Sequence, residues 1–475
     1  MTVALALAID VGSSAVRCAV VDADGMVVAS SRVARIDAAA GATFDVERLW
    51  RDVVRTIRDL PIVSLSAVAA VGIAGHVGTV FVDADLQPVV DGRGWGDVGG
   101  VDQLATAAGG ALPRLLRVTG RAVVTGGAGA AFLDLRTHQP RAAARVTGIL
   151  TPKDLIIARM TGRSATDRTS AAYTGLSAVE SGTWSPQMLR LVGASNDQLP
   201  PQIRADEVVA SVTASVGREL GIRADAVVVA GATDGSVGAA YVLGDREDII
   251  ADIAGTTDVL LRRTARLDAV PVGAVVNPYP LGGFGVGGPT GTTGGALARW
   301  AELLGFGDVA EAVRVIELAS DRIGPGAAGL SMDPSLSGRR FPRWQPDATG
   351  AVFGQRDHHG PEHLLLAAVE GAAYVVREGV DRLDPTGTAP VVLAGGVARS
   401  RVLAQLRADV LGRPVELCPE PDVTVLGAAA LAFRGIGVDM PVAQTGGGGR
   451  AVPDPAAAAA YERLFGEWQK RTQVA

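Results

Sequence analysis

Three short apolar runs open the chain: Val3 to Ile9, Val16 to Val21 and Met26 to Ser30. Each has the length and clustering of a strand, and Asp24-Gly25 between the last two is a hairpin signal, so a three-stranded meander is predicted. From Asp45 to Leu60 the period changes. Val46, Leu49, Trp50, Val53 and Ile57 fall on one helical face, with Asp45 placed to start it. Val68 to Ile73 reverts to strand. Residues 227–230 run as a strand into Gly231 and a small-residue helix, and residues 391–417 read strand, double glycine, amphipathic helix, strand. A last helix carries Tyr461, Leu464, Phe465 and Trp468 on one face, behind a flexible glycine- and alanine-rich connection over 444–460.

The layout of the opening returns in the second half. "IIADIAGTTDVLLRR" (249–263) repeats an apolar run, an acid, a turn with glycine and two hydroxyls, and a second apolar run, with one residue inserted relative to Asp10-Val-Gly-Ser-Ser. "VGIAGHVG" (71–78) is echoed by "VVLAGGVA" (391–398), each a strand running into glycines. Two echoes in the same order predict two domains on one plan, although short apolar runs ending in glycine also recur by chance. The polar turn after Leu243 sets the expected boundary, giving domains 1–244 and 245–475. The Pro-, Gly- and Arg-rich stretch from Arg339 to Gly360 reads as a functional loop.

A chain of 475 residues exceeds one ordinary core, which agrees with two domains. Its 48% hydrophobic and 20% charged residues describe a globular protein. A net charge of −6 leaves no electrostatic footprint for nucleic acid or an anionic membrane. No apolar run is long enough to cross a bilayer, and Met1 leads straight into a strand-like run, so a cytoplasmic protein is expected. Cys18 and Cys418 both sit in apolar surroundings and form neither a disulfide framework nor a metal site. Lysine occurs only at 153 and 470. A Walker-type phosphate loop needs a lysine after its glycines, so any nucleotide must be held by another device.

"LAIDVGSSAVR" (7–17) supplies one. A turn through Gly12, Ser13 and Ser14 presents backbone N–H groups and hydroxyls toward one point, as phosphate-binding turns do without lysine. Asp10 at the strand end is placed to hold Mg²⁺ bridging those phosphates, and Arg17 adds charge. The competing reading is a hairpin turn with an exposed acid. "VVVAGATDGSVGAA" (227–240) delivers Asp234 to a helix start, where a carboxylate can take the proton of an attacking hydroxyl or simply cap the helix. A ribokinase-like reading of this segment is weaker, because Thr233 stands where that fold has glycine and the two-domain echo has no place there. Gly395 and Gly396 would let a flat adenine or its ribose approach the backbone. "DHHGPEH" (357–363) imitates a zinc motif, but Pro361 marks a helix start, so His358 and His359 lie before the helix and the helical spacing does not apply.

Taken in order, these segments resemble the FGGY carbohydrate kinases, the group of xylulokinase, gluconokinase and glycerol kinase in the actin-like ATPase superfamily. The resemblance runs nearly end to end: "DVGSSAVR", "DLIIARMTGRSATDRTSAAYTGL" (154–176), "GATDGS", "AGTTDVL", "GTTGGALARW" (291–300), "SGRRFPRWQPDATGAVFG" (337–354), "AGGVARSRVLAQLRADVLGRPV" (394–415) and "LGAAALA" (426–432). It implies two α/β domains of the actin-like, ribonuclease-H-like kind, mixed sheets flanked by helices, with a central cleft. The N-terminal domain would bind sugar and supply the base, and the C-terminal domain would bind nucleotide. It further implies that Asp234 is the base, that Asp10 and Asp234 face Mg²⁺, and that Gly12, Ser13, Ser14, Arg17, Gly255, Thr256 and Thr257 hold the phosphates of ATP. Gly295, Arg299, Gly395, Gly396 and Ser400 would line the adenosine pocket, and members are often homodimers.

The departures fall on the sugar side. Xylulokinases carry Gln-Met-His-Gly after the strand at 71 to 74. Here "AGHVGTV" (74–80) keeps His76 alone. Their Trp-x-Asp-x-Arg survives as Trp95 and Asp97, with Gly99 in place of the arginine. His76, Trp95, Asp97 and Asp234 are therefore the expected sugar contacts, and the lost polar groups should change preference. A ketopentose such as D-xylulose is the first expectation. Gluconate or another sugar acid or polyol is the second, with an arginine such as Arg93 either meeting a carboxylate or capping a solvated turn. A degenerate sugar- or nucleotide-binding protein, or an actin-like scaffold, is the reading from another class. The retained Asp234 speaks against it, and no helix-turn-helix precedes the first strand to suggest a regulator.

Overall fold

The protein is described by a computed structural model covering residues 4–35, 42–255, 257–268, 270–291, 294–336, 338–420, 422–443 and 447–474. Strand Leu5–Val11 pairs antiparallel with Ala15–Asp22, and that strand with Val27–Ala34, which is the meander the pattern predicts. Val68–Gly75 lies parallel to Leu5–Val11. A parallel neighbour requires a crossover, and helix Val46–Arg58 provides it. Asp45 caps that helix, accepting from the Arg48 N–H at 2.9 Å. Its face of Val46, Leu49, Val53 and Ile57 packs with Leu7, Ile9, Val20 and Val71 in one core, while Trp50 stays at the rim. Val227–Val229 and Ala232–Thr233 continue the sheet, both parallel to Val68–Gly75.

The chain divides into two compact units, and the division is not linear. The first contains Met1–Gly244 together with Val276–Gly285 and Asp422–Val442; the second contains Asp245–Val275, Val286–Pro421 and Ala443–Ala475. Helix Val423–Gly435, a late segment, is buried along most of its length in the first unit. It approaches the sheet so closely that a Cβ on Gly72 would lie 1.9 Å from the Ala428 carbonyl oxygen. Only glycine permits that approach.

The second unit repeats the plan. Ile250–Ala254 pairs antiparallel with Asp258–Thr264 and parallel with Val391–Gly395, which is itself parallel to Val415–Leu417. Register shows where the echo slips. Val11 is paired with Gly75 and Asp10 with Ala74; Ala254 is paired with Gly395 and Ile253 with Ala394. Ile253 therefore occupies the position of Asp10. Asp252 is one residue earlier and faces the opposite side of its sheet, where Arg407 holds it at 2.7 Å and Asp258 at 3.2 Å, all three buried. The terminal helix Pro455–Val474 buries Tyr461, Phe465 and Trp468, as its periodicity predicts, with Leu464 packed beside them.

Candidate active site

Asp10 ends the first strand with only 1% of its side chain exposed, and Arg17, its cross-strand partner, reaches its carboxylate at 2.6 Å. The same guanidinium meets Asp422 at 2.9 Å, at the start of the late helix. Burial pushes the Asp10 carboxyl up, Arg17 pulls it down, and Asp422 adds repulsion, leaving it above its ordinary value. The competing picture of an exposed turn acid does not hold: Asp10 is buried. The turn beyond it is open. Gly12 and Ser13 are half-buried, Ser14 is exposed, and no side-chain hydrogen bond occupies either serine hydroxyl among the described residues.

Asp234 is brought to the same unit by Gly231, whose φ of +64° turns the chain after Val227–Val229. The helix Asp234–Leu243 takes Thr233 as its cap, so Asp234 is the first helical residue and not the cap. Its carboxylate accepts from the Gly235 N–H at 2.7 Å. Burial, reinforced by the Asp10 charge, pushes its pKa up to about 7 against the opposing Gly235 N–H and Arg17. A carboxylate poised at that value is a competent base near neutrality. Among the described residues no group of three or more acidic, histidine or cysteine side chains is gathered to hold a metal. Asp10 and Asp234 suit a hard cation that takes its remaining ligands from water and phosphate, as Mg²⁺ does.

Beside Asp234, Gly75, His76, Gly127, Lys153, Ser170, Tyr173 and Thr233 line a small cavity. His76 is buried and its pKa is lowered to about 4 by burial, despite the Val77 carbonyl at 3.1 Å. Its ring is neutral, with Nδ1–H donating to that carbonyl and Nε2 facing Arg35 at 3.5 Å. Lys153, 1% exposed, is clamped by Asp154 at 2.6 Å and Asp167 at 3.1 Å. Asp167 also caps the helix Arg168–Tyr173 through Thr169 and Ser170 N–H groups. The Ser170 hydroxyl is buried with no partner, an orphan donor and acceptor in the cavity wall. Trp95 and Asp97 lie on a neighbouring loop outside that cavity lining. Asp97 and Asp134 hold Arg93 at 3.5 and 3.4 Å, so Arg93 is committed to two carboxylates and is not available to a substrate.

In the second unit Gly255 is exposed, and the Thr257 hydroxyl accepts from the Gly291 N–H at 2.7 Å. Thr256 lies outside the described residues. Gly395, at φ +91°, and Gly396 end the strand as expected. Ser400 caps helix Arg401–Leu411 and donates to Glu317 at 2.6 Å. Gly295 sits in the first turn of Gly294–Leu303, on which Arg299 pairs with Glu302 at 2.6 Å on an exposed face. Of the imitation zinc motif, His359 accepts from the Arg356 N–H and His363 from the Gly360 N–H, so both rings serve the helix entrance.

Tyr173, Arg121, Lys153 and Ser170 are missing from the expected contacts. Nothing local marks them: Tyr173 reads as an aromatic in a small-residue run, and Arg121 as one of many arginines. Spatially, Tyr173 is buried with its hydroxyl within electrostatic reach of Asp234, Ser236 and Asn277, the last on a distant segment of the same unit, and burial raises its pKa.

The N-terminal domain model of the FGGY family of carbohydrate kinases matches residues 5–240, and its C-terminal domain model matches 251–436. The xylulose kinase of Escherichia coli (strain K12) is 29% identical over 438 residues, covering 90% of this chain and 89% of its own. The xylulose kinase of Streptomyces rubiginosus is 30% identical over 440 residues, covering 90% and 87%. A gluconate kinase structure from Lactobacillus acidophilus superimposes with a TM-score of 0.88 at 22% identity, covering 99% of this chain and 98% of that one. Among the described residues no helix is long and apolar enough to cross a membrane. With both domain models matched in order, the chain belongs to the FGGY family of carbohydrate kinases and is an ATP-dependent sugar kinase.

Proposed function

We propose that Asp234 is the base that activates a hydroxyl of a small sugar bound in the first unit, with D-xylulose as the leading acceptor. The observation that carries this is the burial of Asp234 at a helix start, with a pKa of about 7, beside a cavity whose wall offers the unpartnered Ser170 hydroxyl. The Asp234 carboxylate takes the hydroxyl proton as the oxygen bonds to the γ-phosphorus of ATP and ADP departs. Arg17 and the open Gly12-Ser13-Ser14 turn hold phosphate oxygens in this reading, with Gly255, Thr256 and Thr257 as the second turn. Gly295, Arg299, Gly395, Gly396 and Ser400 carry the adenosine. Mg²⁺, held through Asp10 and Asp234 and water, would neutralise charge on the phosphates. His76 remains neutral and offers hydrogen bonds; Trp95 and Asp97 contribute from the adjoining loop.

The choice of D-xylulose rests on relatives named for it that cover nine-tenths of this chain. We also propose a cytoplasmic enzyme that forms a homodimer. The decisive experiment is coupled ADP release with ATP and Mg²⁺ over ketopentoses, ketohexoses, polyols and aldonates, with Asp234→Ala in parallel. Stimulation by one acceptor, abolished in the variant, supports the reading. ATP turnover unchanged in Asp234→Ala overturns it.

A further inference from the structure

Lys153 is a buried lysine in a chain that otherwise relies on arginine for positive charge. Its ammonium lies 2.6 Å from Oδ1 of Asp154 and 3.1 Å from Oδ1 of Asp167, and both partners are buried as well. Each carboxylate commits its other oxygen to a helix start. Oδ2 of Asp154 accepts from the Thr151 N–H at 3.1 Å, closing the capping box of helix Pro152–Thr161. Oδ2 of Asp167 accepts from the Thr169 and Ser170 N–H groups at 2.7 and 3.1 Å, capping helix Arg168–Tyr173. One ammonium therefore ties two helix starts together. Both belong to the wall of the cavity beside Asp234: Thr151 and Lys153 come from the first, Ser170 and Tyr173 from the second. The lysine stem also packs on a third part of that wall. A Cβ on Gly75, the residue before His76, would lie 3.0 Å from the Lys153 Cβ.

Neither helix depends on the lysine for its cap, and a buried ion cluster adds little net stability over apolar side chains of similar size. What it supplies is a fixed geometry. An ammonium is a point charge that can meet one oxygen from each of two carboxylates, whereas the fork of a guanidinium favours both oxygens of one. The two aspartates outweigh burial and keep Lys153 charged. We propose that Lys153 is a positioning residue for the acceptor: by tying the two helix starts it sets Ser170 and Tyr173 in place around the sugar cavity, and so controls affinity for the sugar but not for ATP. The Ser170 hydroxyl, buried with no partner, is the group through which the effect reaches the sugar. The inference rests on reading this cavity as the acceptor site and adds a residue that acts on it from behind.

Initial rates of ADP release by the full-length protein, with D-xylulose and ATP varied in turn, test it. Lys153→Met should raise KM for D-xylulose about tenfold or more and leave KM for ATP within about twofold, a split that a mere loss of folded protein cannot produce. Ser170→Ala should raise the sugar KM too, and the two effects should not multiply. The double variant should stay within about twofold of the weaker single one, because without the lysine the hydroxyl is already misplaced. Should Lys153→Met fail to fold, Asp167→Asn loosens the same tie while its amide oxygen keeps the helix cap. It should raise the sugar KM about threefold or more with ATP unmoved. A wild-type sugar KM in the folded variant, an equal rise for ATP, or fully multiplicative effects of Lys153→Met and Ser170→Ala overturns this inference alone. No ADP release stimulated by D-xylulose in the wild type, or stimulation that persists in Asp234→Ala, overturns the underlying reading of the site and this inference with it.

Discussion

Replacing Asp234, the proposed base, should make this protein more stable, and by an amount that depends on pH. Asp234 is held with its pKa raised from 3.8 to about 7, chiefly by burial. A carboxyl raised in this way favours the folded state while it is protonated and opposes it once ionised. The cost is absent below the unfolded value, grows as pH rises through the window between the two, and levels off above about 7. Converted at about 1.4 kcal/mol per tenfold, the penalty is about 2 kcal/mol at pH 5.5 and about 4 kcal/mol at pH 8.5. Asp234→Asn removes it while keeping an oxygen for the Gly235 N–H. Urea unfolding at the two pH values should therefore show a stabilisation that roughly doubles between them, in a protein that no longer transfers phosphate. A stability gain that is flat with pH, or any loss of stability at pH 8.5, would falsify the account of Asp234 as a strained, buried carboxyl.

With Asp234 as the proposed base, kcat/KM should fall on the acid side with an apparent pKa near 7, and His76, with its pKa near 4, should contribute no second limb between pH 5.5 and 8. NMR of the His76 ring should show no titration over that range. Arg407→Met removes the buried guanidinium that bridges Asp252 and Asp258 and should cost about 3–5 kcal/mol in denaturant unfolding. Arg17→Ala removes the charge beside Asp10 and the open turn; we expect KM for ATP to rise about tenfold or more, as befits a lost charge-assisted contact. Gly72→Ala forces a methyl onto the Ala428 carbonyl and should destabilise by about 1–3 kcal/mol or block folding.

Local pattern carried the elements that are local. The meander, the helix capped by Asp45 and the terminal aromatic helix each follow from spacing alone, and the two echoes mark strands that occupy corresponding places in two sheets. Register was not legible. The inserted residue that distinguishes the second echo moves its acid to the other face of the strand, so Asp252 looks like Asp10 in sequence and serves a buried ion cluster in structure. Asp10 and Asp234 were readable as candidates because strand ends and helix starts leave a signature. Tyr173, Arg121 and Asn277 were not, because their juxtaposition depends on a hairpin returning to the first unit from more than a hundred residues away. Arg93 and Arg121 are indistinguishable as letters; what separates them is whether aspartates reach them.

Because helix Val423–Gly435 fills the first unit against Gly72, that unit cannot finish its core when residue 244 leaves the ribosome. Nearly all of the second unit must be synthesised first, and at about 5–20 residues per second the nascent amino-terminal sheet waits on the order of ten seconds or more with one face uncovered. The pairing of first strand and late helix is a contact of very high sequence separation, which slows folding through loop closure. An emerging chain in that state is a natural client for a holding chaperone. A circular permutant that begins at the late helix should shorten the wait.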